Sequence, residues 1–346
     1  MKRPIHHNGR AYSQGLALVE LMIAMALGLV LIGAATGIMM SNTQTFKASK
    51  ITSQVQDSAR LAFELMARDI RQAGSIPCGS DIPVENYLSD STPWYVNWEG
   101  LPKQIPGTVG QASPTPRGQL IGYAGGFSLK DVSNKVNEEK TQSITQSITV
   151  LYASNEGTSV KKMSSHANAP IYTLTQNQNT FTSGDIAVIC NTNFASIFKT
   201  EVTHSDDTVQ LSAPTSNTDN STENIKNTTN NPGIFKKNST VGKLKSRAWY
   251  IGLNEKQQRA LYLADFNGKE IQEILIASNV TELTFEYRAS KEATFKDAAK
   301  VTEEQLWPMV NAVKITLKIE DQDNPKINER FSSEFTSIVA LRNRNQ

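Results

Sequence analysis

The chain is poor in the residues that build most chemical sites. The two cysteines and four histidines in 346 residues do not make a zinc site, which needs about four such ligands at short, characteristic spacing. His166 and His204 have neither a cysteine nor a second histidine at ligand spacing. No Ser-His-Asp arrangement, phosphate-cradling loop or paired carboxylates in a recognisable setting occur. The reading is therefore of a protein that is not an enzyme and takes no cofactor or metal. Asp321-Gln322-Asp323-Asn324 lacks the sixth-position glycine and twelfth-position glutamate of a calcium loop and reads as a β-turn. Net charge is also scarce: +2 over the whole chain, which supplies no global field for nucleic acid.

One absence points somewhere. No acidic residue precedes Glu20, while Lys2, Arg3 and Arg10 do, and from Leu16 to Met40 the chain runs for 25 residues with Glu20 as its only charge. As a helix this stretch spans roughly 37 Å at about 1.5 Å per residue, enough for a hydrocarbon core of about 30 Å. The basic leader then stays in the cytoplasm, and everything after about Ser41 lies across the membrane. A secretory signal would have a shorter apolar block ending in a small-residue cleavage site. A plain signal-anchor is the simpler alternative. A carboxylate inside such a helix costs about 2.5–3.5 kcal/mol on insertion scales, and so usually marks a function.

Gly15 closing a short basic leader, apolar residues starting at Leu16, and Glu20 at the fifth apolar position together resemble the type IV prepilin signal. The resemblance implies that a prepilin peptidase cuts between Gly15 and Leu16 and methylates the amine of Leu16. The family usually has phenylalanine there, so Leu16 is a conservative departure. It further implies that Glu20 neutralises the terminal amine of a neighbouring subunit during assembly. A buried carboxylate keeps its charge cheaply only beside a cation. Major pilins usually carry a proline where this chain has Gly37, so no proline kink is expected. Removing Lys2, Arg3 and Arg10 from a net +2 leaves a mature chain near −1.

Cys78 and Cys190 both fall beyond the membrane segment. In an oxidising periplasm such a pair forms one disulfide, with two separate buried thiols as the alternative.

Past the membrane, Ile51, Val55, Ala59, Ala62, Phe63, Met66 and Ile70 recur at spacings of three or four, the apolar face of a helix. Gly74 and Pro77 end it. Gly28, Gly33 and Gly37 permit close helix packing in a membrane. Residues 82–118 read as an ordered loop region rich in Pro, Gly and Trp. Strand-like runs follow at 143–152, 186–190 and 197–202, with a weaker one at 208–211. Residues 212–240, dense in Asn, Ser and Thr, read as an exposed insertion with too few apolar residues for a core. Residues 247–253 and 260–266 predict two strands. Leu283, Phe285 and Tyr287, then Val313, Ile315, Leu317 and Ile319, alternate with polar residues and predict antiparallel strands buried on one face. A final strand is expected at 328–341. The predicted fold is α+β: a leader at 1–15, a transmembrane half-helix at 16–40, an amphipathic half at 41–74, and a mostly antiparallel β head at 75–346 packed on the helix.

The stretch Arg68-Asp69-Ile70-Arg71-Gln72-Ala73-Gly74 followed by Cys78 is similar to the PilW family of minor pilins. So is Gly184-Asp185-Ile186-Ala187-Val188 running into Cys190, and so is the closing Val339-Ala340-Leu341-Arg342-Asn343-Arg344. This implies a low-abundance subunit that sits in the inner membrane with its head in the periplasm and later at the pilus tip. Its implied partners are other minor pilins, the major pilin and a tip adhesin. The J-type pseudopilin of type II secretion is the nearest alternative. A nucleic-acid-binding subunit is the alternative of another class: Lys236, Lys237, Lys243, Lys245 and Arg247 crowd a segment without acids, and Trp249 and Tyr250 follow. Such residues could hold phosphates and stack bases. The favoured reading is a solvated loop edge before a strand whose aromatics enter the core.

Overall fold

A computed structural model describes residues 14–79, 82, 84–88, 94–96, 98, 119–124, 145–155, 158–166, 169–175, 181–205, 208–212, 235–268, 270–320 and 332–341. The chain divides into two units, one ending at Gln56 and the other running from Asp57.

Helix α1, Gln14–Gln72, has residues in both units. No proline lies between Pro4 and Pro77, so no residue in its interior lacks the N–H that the backbone ladder needs. It stops where Gly74 takes φ +71° and the amides of Ala73 and Ser75 turn back on Ile70 and Gln72, a glycine-terminated end.

In the second unit the apolar stripe of α1 is buried at Ala59, Ala62, Met66, Ala67, Ile70 and Ala73. Beyond the helix the chain is stitched to strand β3 (Ser147–Ala153). The Gly74 amide donates to Leu151, and the Ala153 amide donates to Ser75, each at 2.8 Å. Cys78 and Cys190 are disulfide-bonded, closing a separation of 112 residues.

The larger sheet contains β1 (Val84–Asn86), β2 (Leu120–Tyr123), β3, β4 (Thr158–His166), β5 (Ala169–Leu174), β6 (Ile186–Cys190), β7 (Ala195–Lys199), β8 (Glu201–Ser205), β9 (Thr208–Ser212), β10 (Thr240–Leu253), β11 (Arg259–Phe266) and β12 (Ile271–Ser278). β1 runs parallel to β7, and the other paired strands are antiparallel. β10 is the spine. Its first residues pair with β4 and β6, and its later residues with β3 and β11. It changes ladders near Gly242, where a Cβ would overlap the carbonyl oxygen of Ser154. Every residue of β3 and β6 is buried, because both faces of these central strands are covered.

A second sheet holds β13 (Val280–Ala289), β14 (Val310–Ile319) and β15 (Ser333–Ala340), with β14 central. Its period-two pattern turns Leu283, Phe285, Tyr287, Val313, Ile315 and Leu317 inward. β13 lies against β3, β10 and β11. The Phe285 amide donates to Gln146 Oε1 at 2.6 Å, and Tyr287 lies over Gly122. Between β13 and β14 run α2 (Ala298–Glu303), capped by Asp297, and a 3-10 turn at Trp307–Met309. The Trp307 ring stands edge-on to Tyr287 at 4.8 Å.

The α+β class and the long helix agree with the sequence reading. Strands β4, β5 and β12 and the first seven residues of β10 lie outside the expected strands, and three further details differ. The run expected at 197–202 is two strands that part at Thr200, whose amide and hydroxyl both donate to the Asp185 carbonyl. β8 is thereby redirected to pair with β9. Within the expected loop region, Val84–Asn86 is a strand. The interval 212–240 also carries core and sheet at both ends: Ser212 closes β9, Phe235 is buried against Tyr172, and β10 opens at Thr240. Residues 213–234, the turn at 321–324, residues 342–344 and most of the leader lie outside the described residues.

Candidate functional site

In the first unit, fourteen large apolar side chains between Leu18 and Met40 stand 54–71% exposed. At about 1.5–3 kcal/mol for a fully exposed side chain taken out of water, scaled by that exposure, they amount to about 13–27 kcal/mol. That is as large as or larger than the whole stability of a typical domain, about 5–15 kcal/mol. The surface therefore requires lipid or other helices. Among the described residues α1 is the one helix long and apolar enough to cross a membrane.

Glu20 is exposed on this helix and is the only charge between Leu18 and Phe46. The hydroxyls are handled internally. Thr36 donates to the carbonyl of Ile32, Thr43 to Met39 at 2.8 Å, Thr45 to Ser41 and Thr52 to Ala48 at 3.0 Å. At Thr36, within the apolar run, such back-bonding spares a donor from facing hydrocarbon. Gly28, Gly33 and Gly37 have nothing within 4 Å of where a Cβ would stand. Nothing among the described residues requires them to be small. Gly33 and Gly37 form a small-xxx-small pair of the kind that lets two helices approach closely. Gly15 and Leu16 lie in the first turn of α1.

Of the five basic residues of the 236–247 segment, Lys243 and Arg247 are paired with acids. Lys243 sits 2.9 Å from Asp185 Oδ2 and 5.3 Å above the Phe181 ring. Arg247 reaches Asp69 Oδ1 at 2.6 Å and Asp265 Oδ1 at 3.2 Å. Lys245 is half-buried on β10, and Lys236 and Lys237 are exposed in the preceding turn. The aromatics that would stack bases are buried: the Trp249 indole donates to Asp69 Oδ2 at 3.0 Å, and the Tyr250 hydroxyl donates to Glu273 at 2.6 Å. Internal acids thus use Lys243 and Arg247, and the core absorbs Trp249 and Tyr250.

The cluster around Asp69 is the main feature that sequence reasoning missed. Asp69 is fully buried at the end of α1 and accepts from both Arg247 and Trp249, with Arg68 3.8 Å away. Burial raises its carboxyl above the ordinary value, although Arg247, Trp249 and Arg68 pull it back. Burial opposes the charge on Arg247, but Asp69, Tyr152 and Asp265 together hold the guanidinium charged beyond its usual range. A signal existed: Asp69 falls three residues after Met66, on the apolar arc of the helix, where an acid needs a partner.

Residues 10–36 match the family described as the prokaryotic N-terminal methylation motif. No curated protein and no solved structure matches the chain. The matched segment includes Gly15, Leu16 and Glu20, and it fits a pilin- or pseudopilin-type protein whose N-terminal helix suits membrane anchoring and whose motif implies processing by prepilin peptidase.

Proposed function

We propose that the chain is a minor pilin of a type IV pilus, of the PilW type, which joins other minor pilins in a complex that starts assembly at the pilus tip. One observation carries this reading: an exposed apolar helix interrupted by a single carboxylate, within the segment that matches the methylation motif. In the membrane the helix is solvated by lipid. In the fibre it is covered by other helices, whose packing and hydrogen bonds must offset extraction. Cleavage after Gly15 makes Leu16 the first residue and its methylated amine a cation. Glu20 then meets the amine of a neighbour, which removes the penalty of an isolated charge in an apolar setting. The disulfide, the β3 stitch and the Asp69 clasp hold the end of α1 in the head. The chemistry is assembly and not catalysis.

Two measurements test this. Mass and N-terminal sequencing of the mature protein should begin at methylated Leu16, and a bulky replacement of Gly15 should leave the longer precursor. Glu20→Ala should insert normally but be lost from sheared pili. Normal incorporation of that variant would refute the assembly role. Crosslinking of sheared pili with mass spectrometry separates the pilus reading from the J-type pseudopilin by the subunits captured.

A further inference from the structure

Past the apolar run, α1 carries a second feature. Between Glu20 and Asp57 the chain has no acid, and its only charges are Lys47 and Lys50. Both are exposed, and neither is paired with a described residue. Phe46 beside them is 71% exposed. At 100° per residue the three side chains fall within about 100° of arc on the helix, while Ala48, Ile51 and Val55 on other sides are half-buried.

Their height along the helix is informative. Lys47 lies 31 residues beyond Leu16, about 46 Å along the axis at ~1.5 Å per residue. A bilayer with its headgroups is about 40–45 Å thick, and an average tilt of about 20° brings Lys47 down to roughly that height. With Leu16 at the cytoplasmic face, Lys47 stands at the opposite phosphate plane and Lys50 one turn above it. Cα–Cβ bonds tilt toward a helix N-terminus. Both side chains therefore lean back toward the lipid and can lay their stems on the apolar boundary with the ammonium at the phosphates. Phe46, one residue below Lys47, presents an apolar ring that can be buried at the headgroup–acyl boundary.

We infer that Phe46, Lys47 and Lys50 form a docking patch for anionic phospholipid headgroups on the head side of the membrane. The patch sets how far the stored subunit stands in the bilayer before it is withdrawn. The occupant follows from charge complementarity and from the match between helix height and bilayer thickness, and the inference rests on the membrane-spanning reading above.

The full-length protein is reconstituted into phosphatidylcholine vesicles containing a minor fraction of phosphatidylglycerol. Resistance to alkaline carbonate extraction reports insertion, and spin-labelled lipids report the preference for phosphatidylglycerol over phosphatidylcholine. A basic residue at a membrane surface is worth up to about fivefold, so the wild type should prefer the anionic lipid several-fold. Lys47→Gln/Lys50→Gln should remove most of that preference while inserting equally well. Excess inorganic phosphate should leave the preference intact, and its loss under phosphate would overturn a lipid occupant in favour of a free anion. An inserted wild type without anionic preference overturns the inference. So does a preference that survives the double substitution, because it would then belong to the leader. If the two proteins behave alike in vesicles and differ only in pilus incorporation, the lysines serve neighbouring subunits and the inference fails. Failure to resist carbonate would overturn the membrane reading itself.

Discussion

Asp69→Ala removes one acceptor from two buried donors at once. The Arg247 guanidinium would keep only Asp265, at 3.2 Å, and the Trp249 indole N–H would lose its carboxylate acceptor. Removing one partner of a buried ion pair costs about 3–5 kcal/mol. The lower end applies here, because Asp265 remains and the Arg247 side chain is 17% exposed. A loss of about 3 kcal/mol lowers Tm by about 6–12 °C at roughly 2–4 °C per kcal/mol. Thermal unfolding of the full-length protein in detergent, followed by tryptophan fluorescence and circular dichroism, reads this directly. The companion variant Asp69→Leu/Arg247→Met replaces the pair with apolar groups of similar size and should recover part of the loss, since buried pairs are often no better than well-packed apolar substitutes, while the Trp249 indole and Asp265 stay without their partners. A fall below about 1 kcal/mol for Asp69→Ala would refute the reasoning. So would a double variant that loses as much as its two single replacements combined.

The same carboxyl predicts a pH dependence. Its folded-state pKa lies above the unfolded value, so its contribution is complete below the unfolded value and is lost as pH rises through the folded one. The Tm of the wild type relative to Asp69→Asn should therefore rise as pH falls through the carboxylate range, and a shrinking difference would contradict the direction. Reducing Cys78–Cys190, or replacing both with serine, opens a loop of 112 residues. The chain-entropy cost is about 4.7 kcal/mol for a loop of this order, measured as a lower denaturation midpoint with a slope that rises, since the freed unfolded chain exposes more surface. Gly242→Ala drives a methyl into the Ser154 carbonyl where β10 changes ladders. Overpacking against backbone costs about 1–3 kcal/mol, and a variant as stable as wild type in urea would show that the strand can shift.

Much of the fold is legible in short windows of the chain. The apolar block from Leu16, the three-four spacing through Ile70 and the alternation in β13 and β14 are each set by consecutive residues, and the elements appear where those periods lie. The strand parting at Thr200 is not visible that way. Its residues continue a β pattern, and the break comes from hydrogen bonds to Asp185. Likewise Phe235, at the end of a polar interval, enters the core because Tyr172 and Phe198 leave a place for an aromatic ring.

By itself, then, the chain of residues determined a long helix with one carboxylate in an apolar stretch and a head of alternating strands, because periodicity and hydropathy act between near neighbours. The tertiary structure alone decided the fate of the basic segment. Arg247 meets Asp69 across 178 positions and Trp249 meets it across 180. No local window contains both partners, so only the packing of helix on sheet commits Arg247 and Trp249 to an internal clasp.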